Sequence, residues 1–253
     1  MFGLSLILAL QAVSPTPPTA SHAVAVAAPS ASSLALGREI ATLLNGDSAT
    51  QIQIDKIMKA MPQVLLADRD SAALEAKYPG LAANMVEAAR APLLRTMKRQ
   101  MPALIERLGV VYAAALDEGE LRQALIFYRS PTGLWLIDTV AHGADFSAMM
   151  TKMIENPDAS LRGADFKGAI QGAAPALTAE MTHQRATEIL AFLHSPAGGK
   201  IRALQPRLLE VGATWTNEPD PVGDKEVEDA MVNAVKDFIA KHDAAPQRLR
   251  ASS

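Results

Sequence analysis

Two serines are the natural first candidates for chemistry, because Ser130 and Ser195 each open a Ser-Pro-x-Gly tetrapeptide. A serine hydroxyl becomes a nucleophile only beside a base that takes its proton and a third group that orients the base. No such partners recur here: His194 precedes Ser195, but Arg129 holds the same place before Ser130. The other histidines are His22, His142 and His183 and His242, with no His-x-x-x-His or His-Glu-x-x-His spacing to place two ligands on one helix face. Glu118/Glu120 and Glu226/Glu228 read as charges at helix starts. Gly163, Gly168 and Gly172 do not form a phosphate loop. Met149, Met150 and Met153 read as pliable core rather than a copper site. The chain has no cysteine, so thiol nucleophiles, disulfides, cysteine-ligated clusters and lipid attachment through cysteine are excluded. The expectation is a protein without a catalytic centre, metal or cofactor.

The elements that carry these residues are read as helical throughout. Hydrophobic residues make up 49% of the chain and aromatics only 4%, a balance that suits close helix packing better than strands. Net charge is -3, which argues against a nucleic-acid binder, since phosphate neutralisation needs a basic surface. Gly3 to Val13 is an apolar run too short to cross a bilayer and of the length of a secretory h-region. The reading is therefore a signal peptide over 1–23, cleaved after Ala23, followed by a disordered Ala/Pro/Ser-rich segment over 24–33. No Lys or Arg precedes the h-region. Export to the periplasm follows as the expected location.

Apolar spacings of three and four define an all-α domain over 34–216. Pro62, Pro92 and Pro102 are expected to interrupt, kink or divide their helices. Asp117 with Glu120 is a capping box. Residues 217–223 read as a linker, and Asp224 as the cap of a terminal amphipathic helix over 224–242, with Val227, Met231, Val235 and Phe238 as its stripe.

The two Ser-Pro-x-Gly elements belong to a repeat at an offset of 65 residues. Leu125 matches Leu190, Phe127 matches Phe192, and Ser130-Pro131-x-Gly133 matches Ser195-Pro196-x-Gly198, within units of about 101–150 and 166–213. The residue before proline leaves the α region, serine caps the next helix, and proline loses nothing at the first helical position. Glycine then falls in the first turn, where two helices can approach. The fold expected is a helical bundle with a duplicated helix–Ser-Pro-x-Gly–helix unit.

Asp117-Glu118-Gly119-Glu120-Leu121, then Phe127-Tyr128-Arg129-Ser130-Pro131-Thr132-Gly133, resembles the core pattern of the bacterial exported domain of unknown function 2059 family. The second copy, Phe192 to Gly198, is similar to a degenerate version, and the lysine usual after the glycine is present there as Lys200 but absent after Gly133. The resemblance implies an exported helical protein and assigns no catalytic residues. The expected role is a structural or protein-interaction module of the cell envelope, acting on an envelope partner or on itself. The alternative is a binder of a small apolar or lipid-like ligand in a groove lined by Tyr128, Trp135, Met149 and Met150. Arg95, Lys98, Arg99 and Arg107 form a basic face, read first as a solvated helix face and otherwise as a surface for an acidic partner or weak membrane contact.

Overall fold

The computed structural model describes residues 28–156 and 159–251, and among them every regular element is a helix. The expected all-α fold is therefore observed. The expected signal peptide over 1–23 lies outside the described residues.

Helix α1 spans Ala31–Leu44, so the segment read as disordered turns helical within it; the Ser30 hydroxyl caps this helix by accepting the Ser33 amide at 3.0 Å. Helix α2 (Asp47–Leu65) is followed by α3 (Arg69–Lys77), capped by Asp68. Gly80 ends that connection in the left-handed region at φ 93°, a conformation other residues adopt at a cost. Helix α4 (Leu81–Ala115) follows, and the Glu75 carboxylate accepts the amides of Gly80 at 2.6 Å and Ala82 at 2.8 Å. Those amides hold Glu75 below the usual carboxylate range, since a helix N-terminus favours negative charge.

The prolines do not divide these helices. Pro62 lies inside α2, and Pro92 and Pro102 inside α4, which runs unbroken for 35 residues. Each proline removes one amide donor, but packing holds the rod: α1, α2, α11 and α12 all lie against α4.

The chain then makes α5 (Glu118–Arg129), α6 (Pro131–Gly143), α7 (Ser147–Glu155), α8 (Gly163–Gln171), α9 (Ala174–Glu180), α10 (His183–His194) and α11 (Pro196–Thr216). The Asp117 capping box of α5 forms as expected. The main core joins α1, the second half of α4 and α5 to α11, with Tyr112, Tyr128 and Phe166 among its largest fully buried side chains. A smaller cluster of Ile54, Met58 and Val86 sits between α2 and the first half of α4.

Helix α12 (Pro221–Ala251) starts earlier and runs longer than the sequence suggested. Asp220, not Asp224, accepts the Gly223 amide at 3.1 Å. The tetrapeptide Asp220-Pro221-Val222-Gly223 repeats the cap-Pro-x-Gly pattern with aspartate in place of serine. That signal was present in the sequence beside the one from Asp224.

Candidate functional site

At both Ser-Pro-x-Gly elements one residue ends a helix and caps the next. Ser130 has φ -68° and ψ 159°, and its hydroxyl accepts the Gly133 amide at 3.1 Å. Ser195 has φ -73° and ψ 158°, and its hydroxyl accepts the Gly198 amide at 3.1 Å while donating to the Phe192 carbonyl at 2.7 Å. These hydroxyls are engaged in capping. Pro131 and Pro196 hold the first helical position in each case.

The glycines are needed for space rather than for φ. A Cβ on Gly133 would stand 2.1 Å from the Phe127 carbonyl oxygen, and one on Gly198 would stand 2.0 Å from that of Phe192. Both corners are thus closed to any side chain.

The two corners face each other. Phe127 and Phe192 stack with ring centroids 4.0 Å apart and planes 4° from parallel. Tyr128 meets both rings edge-on, at 5.5 Å and 5.6 Å. Aromatic pairs in these geometries add about 0.5–1.5 kcal/mol beyond their buried area.

Polar contacts around the stack exchange under the same offset of 65 residues. The Arg185 guanidinium lies 4.1 Å over the Trp135 ring, from α10 to α6. The counterparts of that pair are Glu120 and Lys200, which form an ion pair at 2.6 Å from α5 to α11. Helix packing exchanges as well: α5 lies on α11 as α10 lies on α6, and α6 lies on α9 as α11 lies on α4. Leu104, Leu108 and Tyr112 are buried, and so are their counterparts Ala169, Ala173 and Leu177. The cross-contacts of Glu120 and Arg185 are not legible from residue type, because these positions carry opposite charges; the signal available was their shared 65-residue offset.

The four residues read as one apolar groove do not line one. Tyr128 is fully buried, since the pairing of α5 with α10 encloses it, and its hydroxyl has no hydrogen-bond partner among the described residues. Trp135 is covered by Arg185 and donates through Nε1 to Glu180 at 2.9 Å. Met149 is buried in the core. Met150 lines a separate groove of about 330 Å³ between α2 and the α6–α7 connection. There Lys56 donates to the carbonyl of His142 and, at 2.5 Å, to that of Ala144, so its ammonium neutralises the C-terminus of α6. Burial pulls the Lys56 amine below its ordinary range, and the nearby Asp145 carboxylate opposes that shift.

The basic face is mostly paired within the chain. Arg99 meets Asp220 at 2.8 Å, Arg95 meets Glu226 at 3.3 Å and Arg107 meets Glu218 at 2.5 Å, leaving Lys98 exposed. The face is therefore neither bare to solvent nor free for an outside partner, because the acidic segment that leads into α12 occupies most of it. These contacts raise Arg107 and lower Glu218 and Asp220 from their ordinary values, hydrogen bonding being the main cause in each.

Among the described residues no group of three or more His, Asp or Glu is arranged to hold a metal ion, and no helix is long and apolar enough to cross a membrane. His142 lies in the last turn of α6, with Nδ1 3.0 Å from the Asp138 carbonyl, and His242 meets the Tyr78 ring edge-on at 5.2 Å. Comparison with protein-family models, with curated proteins and with solved structures finds no match to this chain.

Proposed function

We propose that the protein is an exported, non-enzymatic interaction module of the cell envelope, built on an internal pairing of two copies of one helix–Ser-Pro-x-Gly–helix unit. The observation that carries this reading is the exchange of contacts across the Phe127–Phe192 stack. Trp135 with Arg185 and Lys200 with Glu120 occupy equivalent places under the 65-residue offset, as two subunits of a symmetric dimer would. The recurring Phe127 and Phe192 hold the copies together, while Leu125 and Leu190 recur with opposite exposure, 4% against 52%, which leaves the second copy a face where a partner would be recognised. The resemblance to the domain of unknown function 2059 family belongs to the same proposal, as do the signal peptide and the periplasmic location.

The alternative, a binder of a small apolar or lipid-like ligand, keeps one of its four residues. Met150 borders the groove beside Lys56, and a second groove of about 270 Å³ continues from it along α2 and α7. An amine near an apolar trough would suit a carboxylate-headed ligand.

Native mass spectrometry of the periplasmic fraction, beside the denatured mass, separates these readings. A denatured mass lacking the first 23 residues supports export and cleavage. A native mass at a multiple of the chain, or at the chain plus another protein, supports the interaction module. An extra mass of a few hundred daltons supports the ligand reading. A bare monomer with Met1 intact, and no partner after crosslinking, would sink both.

A further inference from the structure

The pairing of the two units is incomplete in one respect. Helix α1 packs on α4 and α5, and it bonds both ends of the outer stripe of α5: Ser30 donates to Glu118 at 3.1 Å, and Glu39 pairs with Arg129. Leu125 lies between those contacts on the same stripe, seven residues after Glu118 and four before Arg129, and is 4% exposed. The equivalent stripe of α10 is His183, Leu190 and His194. No element among the described residues covers it. Leu190 is 52% exposed, and both histidines are exposed.

One internal unit therefore shows how the other unit's bare face is filled. We propose that the outer face of α10, centred on Leu190, is the vacant counterpart of the α1 dock and takes an amphipathic helix with acidic flanks from a partner protein. This rests on the interaction-module reading and names its surface.

The chemistry of the incoming helix follows from what α1 presents and from how the two stripes differ. Apolar residues at the spacing of Ile40, Ala41 and Leu44 supply the buried face, with half-buried ones at the places of Leu36 and Leu43 beside it. A small residue is needed near the place of Gly37, where α1 crosses α4 so closely that a Cβ would stand 2.3 Å from the Gly109 carbonyl oxygen; the counterpart of Gly109 is Ala174. Glu118 and Arg129 are replaced by His183 and His194, so both flanks of the vacant site present imidazole donors in place of one carboxylate and one guanidinium. Glu106, which pairs with Arg38 of α1 at 2.5 Å, is replaced by neutral Gln171. The fitting helix thus carries a carboxylate at its N-cap and another nine residues on, as Ser30 and Glu39 are spaced, and no cation between them.

The test uses a fluorescent peptide of Pro29–Gly46 carrying Ser30→Asp and Arg38→Gln, titrated against the full chain by anisotropy. Saturable binding that weakens at least tenfold with Leu190→Asp, and is unchanged with Ile126→Asp, supports the dock; Ile126 is 73% exposed and serves as the surface control. Since Leu190 is exposed, both variants should melt as the parent does, and circular dichroism checks this. Reversing the flank with His194→Glu should also weaken binding, and changing the peptide's Glu39 to Lys should restore it. Binding insensitive to Leu190→Asp, or no binding at all, overturns the dock. In cells, a photo-crosslinking residue placed in turn at 126, 134, 190 and 222 distinguishes the two levels of the proposal. Adducts elsewhere but not at 190 overturn the dock and leave the interaction module standing, and adducts nowhere overturn both. A self-adduct at 190 overturns the partner helix in favour of a second copy.

Discussion

The paired corners and the α12 strap are held by different forces. Around Phe127 and Phe192 the side chains are buried, the rings are in contact, and Gly133 and Gly198 have no room for a methyl group. Along α12 the only buried residue between Pro221 and Ala244 is Gly223, and the helix and the segment leading into it lie on α4 through a half-buried stripe and a row of surface ion pairs. Burial of apolar surface is worth about 25 cal/mol per Å², whereas exposed ion pairs contribute little and are screened by salt. The first region should define the fold, and the second should follow solution conditions.

The largest expected effect is at the corners. Gly133→Ala and Gly198→Ala should each cost about 3 kcal/mol, because a Cβ would overlap backbone of the preceding helix. Urea unfolding measures this, and a loss below about 1 kcal/mol for either would show that the corner can open without damage. Equal losses at both would sharpen the equivalence of the two units.

Alkaline titration should be nearly as damaging. Burial raises the phenols of Tyr112 and Tyr128 above their ordinary value of 10.0. Their folded pKa lies above the unfolded one, so stability is full below pH 10 and falls as pH rises further. Two such groups should remove about 3 kcal/mol between pH 9 and pH 11. An unfolding midpoint unchanged across that window would mean that these phenols are not shielded.

A gain is expected from Tyr128→Phe. The Tyr128 hydroxyl is buried without a partner among the described residues, an arrangement that costs about 1–3 kcal/mol, so its removal should stabilise the core by about 1 kcal/mol. A destabilised Tyr128→Phe variant would point to a hydrogen bond that matters.

The smallest effect belongs to the strap. Arg107→Gln should cost about 0.5 kcal/mol or less at low salt, and nothing measurable in 1 M NaCl. A loss comparable to that of Gly133→Ala would break the contrast between the two regions.

Local signals were readable in the chain because they depend on near neighbours. Asp117 with Glu120, Asp68 before α3 and the two Ser-Pro-x-Gly corners all act within four residues and formed as their types dictate. The prolines do not divide their helices for the opposite reason: Pro92 is buried within α4, and its cost is offset by helices packed from elsewhere in the chain. At the start of α12, Asp220 and Asp224 both suit a cap, and only the proline between them decides. The groove failed for a reason of pairing. Tyr128 and Trp135 look alike as aromatic residues seven positions apart, yet α10 encloses the first and covers the second with Arg185. Which faces meet is a property of residues 65 positions apart, and no local pattern contains it.

The antiparallel course of α12 along α4 has a mechanical consequence. Its start is tied near Arg99 by Asp220, and its far half passes Glu87 and Ala88 to bring His242 against Tyr78. Tension drawing that far end away from α4 loads one turn at a time, so the helix would unzip at low force and rewind when released. The corner residues would be strained only afterwards. Helix α12 would therefore yield before the Phe127–Phe192 corners.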